Sequence, residues 1–231
     1  MGILDLIFPK RCVGCRRFGS YICSTCFAML SFSDEATCAV CNRHAIDGRT
    51  HPGCMGKYTI DGIISSMSYK GLMKRLVYQF KYKPYLSDLE HILSDLFLEG
   101  LIQKELFHTI VAQKPVLIPI PLHRKKLRSR GYNQAGILAK NLGKALNLPM
   151  AEALIRQKET DSQFQLTREA RVKNISSAFE IKKEFKNRIK GKFFLLIDDV
   201  TTSGVTFLEA AKVLKKTGAK SVWGIALAHG N

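Results

Sequence analysis

No stretch of this 231-residue sequence stays apolar for the roughly 18 residues that a membrane-crossing helix needs, so no transmembrane helix is predicted. The apolar opening, Met1 to Pro9, is short and has neither a basic start nor a small-residue cleavage site. No signal peptide is therefore predicted, and a cytoplasmic protein is expected. Position 6 is Leu rather than Ser or Thr, which argues against myristoylation. Cysteine is absent after residue 54, and no internal repeat is found beyond the cysteine pairs. What remains is globular in character, with 46% apolar and 9% aromatic residues. The length suffices for one sizeable domain and a small one.

Acidic residues are also scarce. The chain has 19 against 36 basic ones, a net charge of +17. The imbalance is local. Residues 115–190 carry 17 basic and 6 acidic groups, while residues 61–114 carry 7 and 6. A charge added for solubility alone would be spread evenly, so the concentration points to a polyanionic partner.

All seven cysteines lie between positions 12 and 54, as Cys12-x-x-Cys15, Cys23-x-x-Cys26 and Cys38-x-x-Cys41, with His51-x-x-Cys54 completing a fourth pair. Two ligands separated by two residues can close on one tetrahedral ion, and zinc accepts both thiolate and imidazole. Disulfides are disfavoured in a reducing compartment. Four pairs suit two zinc ions. The favoured sharing is sequential, with Cys12, Cys15, Cys23 and Cys26 on one ion and Cys38, Cys41, His51 and Cys54 on the other. A crossed arrangement stays open, as does His44 in place of His51. Residues 1–57 hold too few aliphatic side chains for a core of their own, so metal would supply their folding energy.

The most informative run is Phe193 to Thr206. Five apolar residues read as a strand buried on both faces, as in a parallel sheet. Asp198 and Asp199 follow, then Thr201, Thr202, Ser203, Gly204 and Thr206 lead into a helical stretch. A helix N-terminus offers free N–H groups and a favourable dipole to phosphate. The hydroxyls add donors, and paired carboxylates suit ribose hydroxyls or Mg2+. A sugar-phosphate site is predicted. A second strand, Val116–Ile120, precedes five basic residues in seven positions, Arg124 to Arg130. Ligands of α/β sheets bind beyond the carboxyl ends of the strands, so this basic loop is expected to face the hydroxyl-rich one. Arg124, Arg128, Arg130 and, further on, Arg171 are the candidates for pyrophosphate or DNA.

Strands are further predicted at Ile63–Tyr69, Ala178–Ile181 and Ser221–Ala228, and helices at Gly71–Tyr82, Leu86–Leu106, Gln134–Leu146 and Val205–Thr217. Gln157–Asn174 has no apolar period and reads as a mobile loop, a possible lid. Strands alternating with helices imply an α/β fold with a parallel sheet over residues 58–231, behind a zinc module over residues 1–57. Tyr69, Tyr78, Phe80, Tyr82 and Tyr85 lie among basic residues, the composition a single-strand-binding groove requires, although core packing is the commoner use of such residues.

Asp-Asp-Val-Thr-Thr-Ser-Gly-Val-Thr after an apolar strand resembles the phosphoribosyl pyrophosphate (PRPP) motif of type I phosphoribosyltransferases. The whole chain resembles the ComF family. The resemblance rests on Phe8-Pro9-x-x-Cys12-x-x-Cys15, the paired knuckles, Pro121-Leu122-His123-Arg124, Arg130-Gly131-Tyr132-Asn133-Gln134, Gln163-x-x-Leu166, Arg171-x-x-Asn174 and the Asp198 run. His51-x-x-Cys54 departs from the CxxC of many members. The resemblance implies a type I phosphoribosyltransferase-like sheet and a role in natural transformation. It implies single-stranded DNA and the helicase-like ATPase ComFA as partners, PRPP with Mg2+ as a ligand, and recruitment to the membrane-associated uptake machinery. An active phosphoribosyltransferase of unknown acceptor, or a non-enzymatic dock for a helicase, are the alternatives.

Overall fold

The computed structural model describes residues 10–33, 36–82, 87–159 and 168–230. The chain runs through a short helix α1 (Ser24–Phe27) in the cysteine-rich region. It continues as β1 (Gly62–Ser68), α2 (Gly71–Tyr82), α3 (Ser87–Ile102), α4 (Glu105–Ala112) and β2 (Val116–Pro119). Then come α5 (Arg124–Arg130), α6 (Gln134–Leu146), β3 (Leu154–Arg156), α7 (Arg168–Ile175) and β4 (Phe179–Ile181). The chain ends with β5 (Phe193–Thr201), α8 (Val205–Lys216) and β6 (Ser221–His229).

Four strands form a parallel sheet in the order β1-β6-β5-β2, and β3 pairs antiparallel with β4 apart from it. The central position of β5 explains its apolar run. Alternate side chains point to opposite faces. Leu195 and Ile197 join Leu76, Phe97, Phe107 and Leu138 from α2, α3, α4 and α6. Phe194 and Leu196 join Phe207, Ala211 and Leu214 of α8 on the other face. Strands buried on both sides need no polar alternation, which is why the sequence reads them as continuous.

The predicted α/β class holds, and three local expectations are corrected. Arg124–Arg130 is a helix rather than a loop. Arg, Lys and Leu are strong helix formers, and Gly131, at φ 80°, closes the turn. The stretch Leu86–Leu106 is two helices, broken after Ile102. The polar segment at 157–174 is helical from Arg168, because Arg, Glu and Ala favour helix even with little to bury. Ile175 is its buried anchor. Gln163 and Leu166 lie outside the described residues, as do Phe8, Pro9, Tyr85 and Leu86.

The cysteine-rich region is a backbone duplication. In the first half Cys12 N donates to Arg17 O and Arg16 N to Cys12 O. Cys38 N to Arg43 O and Asn42 N to Cys38 O repeat this 26 residues later. Arg16 and Asn42 share a left-handed φ, 66° and 58°. The linker between the halves pairs with the exposed edge of β1, through Ser33 N to Ser66 O and Ser68 N to Ser31 O. Such cover protects an edge strand from foreign pairing. The halves straddle that edge. Cys12 and Cys26 pack on the α2 face, and Ala39 on the α8 face.

Candidate metal centres and phosphoribosyl site

Two ligand quartets assemble from the four pairs. They are Cys12, Cys15, Cys23, Cys26 and Cys38, Cys41, His51, Cys54, each with its ligand atoms within 4.8 Å of one another. The arrangement is the sequential one, not the crossed one. Cys15 Sγ lies 3.6 Å from Cys23 Sγ, and Cys41 Sγ 3.3 Å from His51 Nδ1. Tetrahedral ligands about 2.3 Å from zinc would be roughly 3.8 Å apart, so the donor sets fit that ion. His51 Nε2–H donates to His44 O at 2.8 Å, which fixes the tautomer that leaves Nδ1 free for metal. His44 thus serves the site through its carbonyl. The Arg43 guanidinium and backbone N–H pull the Cys41 thiol down to about 6 against the effect of burial. Such a thiol is readily ionised for a metal.

The second centre lies at the carboxyl end of the sheet. Asp198 and Asp199 end the apolar part of β5, and Gly204, at φ 70°, turns the chain into α8. His229, the last residue of β6, donates from Nε2 to Thr202 O at 3.1 Å and so braces the hydroxyl-rich loop. Asp199 is buried, and its Oδ1 receives Lys81 Nζ from α2 at 2.9 Å. Burial and the adjacent Asp199 push Asp198 up to about 7, opposed by Lys81. Arg156 of β3 is also close enough to oppose that rise. Lys81 and Arg156 were not legible as site residues. Lys81 reads as one polar-face lysine among several on α2, and Arg156 sits in a strand too short to recognise. Only the fold brings both to the carboxylates.

The basic helix α5 leaves the same edge of the sheet. Ile120, just beyond β2, hydrogen-bonds from its N–H to Ile197 O, one residue before Asp198. Arg124 opens that helix, and Arg128 and Arg130 stand in its last turn. Arg130 donates to Gln134 Oε1 at 3.0 Å and to Tyr82 Oη at 3.2 Å. Arg171 falls on α7. Of the aromatics, Phe80 is core and Tyr78 and Tyr82 are exposed, with ring centroids 4.9 Å apart. No helix among the described residues is long and apolar enough to cross a membrane.

Comparison with known proteins agrees with both halves. Residues 3–55 match the double zinc ribbon domain, and residues 101–231 match the phosphoribosyl transferase domain. The DNA utilization protein YhgH of Escherichia coli O6:H1 is 30% identical over 225 residues, 94% of this chain and 96% of that one. The chain belongs to the ComF family. Competence protein F of Haemophilus influenzae is 36% identical over 115 residues, and Competence protein ComFC of Bacillus subtilis 30% over 156. These alignments span 48% and 67% of this chain, and 50% and 58% of those relatives. The family model thus covers β2 to β6, while β1, which completes the sheet, precedes it.

Proposed function

We propose that this protein is a competence factor that handles single-stranded DNA and carries a PRPP-type ligand site. Asp198 and Asp199, followed by the Thr201–Thr206 loop at the head of α8 and flanked by the basic α5, are the observation that carries the reading. In this reading the loop takes the 5′-phosphate through backbone N–H groups and the hydroxyls of Thr201, Thr202, Ser203 and Thr206. The carboxylates take the ribose hydroxyls or a Mg2+ ion. Arg124 and Arg128 face the pyrophosphate or the DNA backbone. The names of the relatives, Competence protein F, ComFC and DNA utilization protein YhgH, support the DNA side. A calorimetric titration with PRPP and Mg2+, with and without single-stranded DNA, tests both halves. Saturable binding that changes when DNA is present is expected. Absence of any PRPP binding would sink the ligand assignment.

A pH dependence follows. Asp198 must be ionised to hold a cation, and its proton is retained up to about pH 7. The affinity for PRPP with Mg2+ is therefore expected to rise about tenfold from pH 6 to pH 8. A profile that is flat or inverted would contradict this role for Asp198.

For DNA, the exposed Tyr78–Tyr82 pair with the Arg130 guanidinium 4.9 Å over the Tyr82 ring forms a stacking surface beside basic α5. Base stacking on an aromatic ring contributes about 1–3 kcal/mol. Y78A with Y82A should weaken binding of an oligothymidylate about tenfold or more. The logarithm of the affinity should also fall linearly with the logarithm of salt concentration. Binding that ignores salt would refute the electrostatic part.

One observation favours a second reading, an active phosphoribosyltransferase. A carboxyl held near pH 7 at the site is suited to proton transfer. Release of pyrophosphate from PRPP in the presence of a nucleobase would establish it.

A further inference from the structure

The second zinc ribbon does not stand apart from the phosphate loop. A small hollow is lined on one side by Thr202, Ser203 and Gly204, and on the other by Thr37 and Ala39, with Ser65 and His229 closing it. Thr37 and Ala39 flank Cys38, a buried ligand of the second quartet. The approach is close. A Cβ placed on Gly204 would lie 3.3 Å from Ala39 Cβ and 2.8 Å from Ile63 Cδ1. The turn into α8 thus takes its left-handed geometry directly against the knuckle.

We propose that the knuckle Thr37–Cys41 is a wall of the phosphate site, so that filling the second zinc site sets the affinity of the loop for a phosphorylated ligand. The inference rests on the phosphoribosyl reading above. The physical argument concerns what holds the knuckle in place. Its backbone is closed by Cys38 N to Arg43 O and Asn42 N to Cys38 O. The Thr37–His44 bridge and Ala45 N to Ala36 O continue that pairing, and Ala39 packs in the apolar cluster with Ile60 and Ile63. The ion adds the link that joins Cys38 and Cys41 to His51 and Cys54. Loss of the ion loosens the knuckle and lets Thr37 and Ala39 shift relative to the loop. Gly204 then loses the close approach of Ala39, and Thr37 no longer holds its place in the lining of the hollow. The first quartet lies on the opposite face of the sheet. There Cys26 and Leu72 crowd Gly14, and Arg75 donates to Gly14 O at 3.0 Å. None of its four ligands lines the hollow, so it serves as an internal control.

The coupling must be reciprocal, because each ligand shifts the other's affinity by the same factor. The test uses the full chain with both zinc ions, and three variants. H51A with C54A removes the second metal without altering any residue of the hollow. C15S with C23S removes the first. Ala39→Leu keeps both metals and crowds Gly204, and decides the matter should a ligand variant fail to fold. Zinc content is measured for each, and the dissociation constant for PRPP with Mg2+ by calorimetry. The second-site variant and Ala39→Leu are expected to bind at least tenfold more weakly, and the first-site variant within twofold of the wild type. Saturating PRPP should slow the release to a chelator of one zinc of two. Wild-type affinity in a folded second-site variant, or equal losses from both metal sites, would overturn the proposal while leaving the PRPP reading intact. A wild-type protein that does not bind PRPP would overturn that reading, and this proposal with it.

Discussion

Asp198→Asn is expected to raise the melting temperature while abolishing binding of PRPP with Mg2+. Most substitutions at a ligand site either cost stability or leave it unchanged, so the combination is diagnostic. The carboxyl lies beside a second one, Asp199, in a partly buried position, and its folded-state value is raised from 3.8 to about 7. The sign follows from proton linkage. A group whose value is raised on folding favours the folded state when protonated, so its contribution is full below about pH 4 and is lost as pH rises through 7. At pH 8 the wild type bears the repulsion and the amide does not. After allowance for solvent screening the relief is about 1–2 kcal/mol, roughly 2–8 °C for a chain of this size. The same amide cannot chelate a cation, so binding should fall at least 100-fold. Asp199→Asn should do the opposite to stability. It strips Lys81, a partly buried side chain, of its 2.9 Å partner and leaves it only the more distant Asp198. Removing one member of a partly buried pair costs stability, because the remaining charge stays desolvated. Scanning calorimetry at pH 5 and pH 8 separates the two. Equal destabilisation by both amides would refute the account.

Removal of zinc is expected to have the larger structural effect. Two zinc ions per chain are predicted in reducing buffer, and C12S should lose one of them together with the folded first ribbon. Cys12 and Cys26 are buried against the apolar cluster that α2 and α3 share. Structural zinc supplies about 10–16 kcal/mol to small ribbons, far more than the few aliphatic side chains of residues 10–57 can provide. The loss should therefore lower the melting temperature by more than about 10 °C and expose the edge of β1, which Ser31 and Ser33 otherwise cover. Aggregation on chelation, reversed by added zinc, is the expected accompaniment. A chain that keeps its melting temperature in chelator would show that the ribbons fold without metal.

Legibility in the sequence followed the range of the interactions. The zinc ligands and the Asp198–Thr206 run were readable because their chemistry is written in consecutive positions. A knuckle needs two ligands three apart, and a phosphate loop needs its hydroxyls and glycine in one turn. Helices with a clear apolar stripe, such as Gly71–Tyr82 and Gln134–Leu146, appear where the spacing puts them. Arg124–Arg130 misled because charge suggests a loop, whereas straight-chain basic residues are good helix formers once Gly131 supplies the stop. The start of α7 misled for the same reason, since Arg168 to Arg171 shows no apolar period in the sequence.

By itself the sequence determined the class of fold, the pairs that make up the metal sites and the strand-loop-helix on which the proposed ligand site rests. Each of these depends on near neighbours in the chain. Only the tertiary structure decided which cysteine pairs share an ion. The same holds for the lysine, 118 positions before Asp199, that pairs with it, and for the contact between the second zinc knuckle and the turn at Gly204. The physical reason is that no local propensity records such meetings. They are settled when the parallel sheet sets the order of its strands and the two ribbons close over opposite faces of β1.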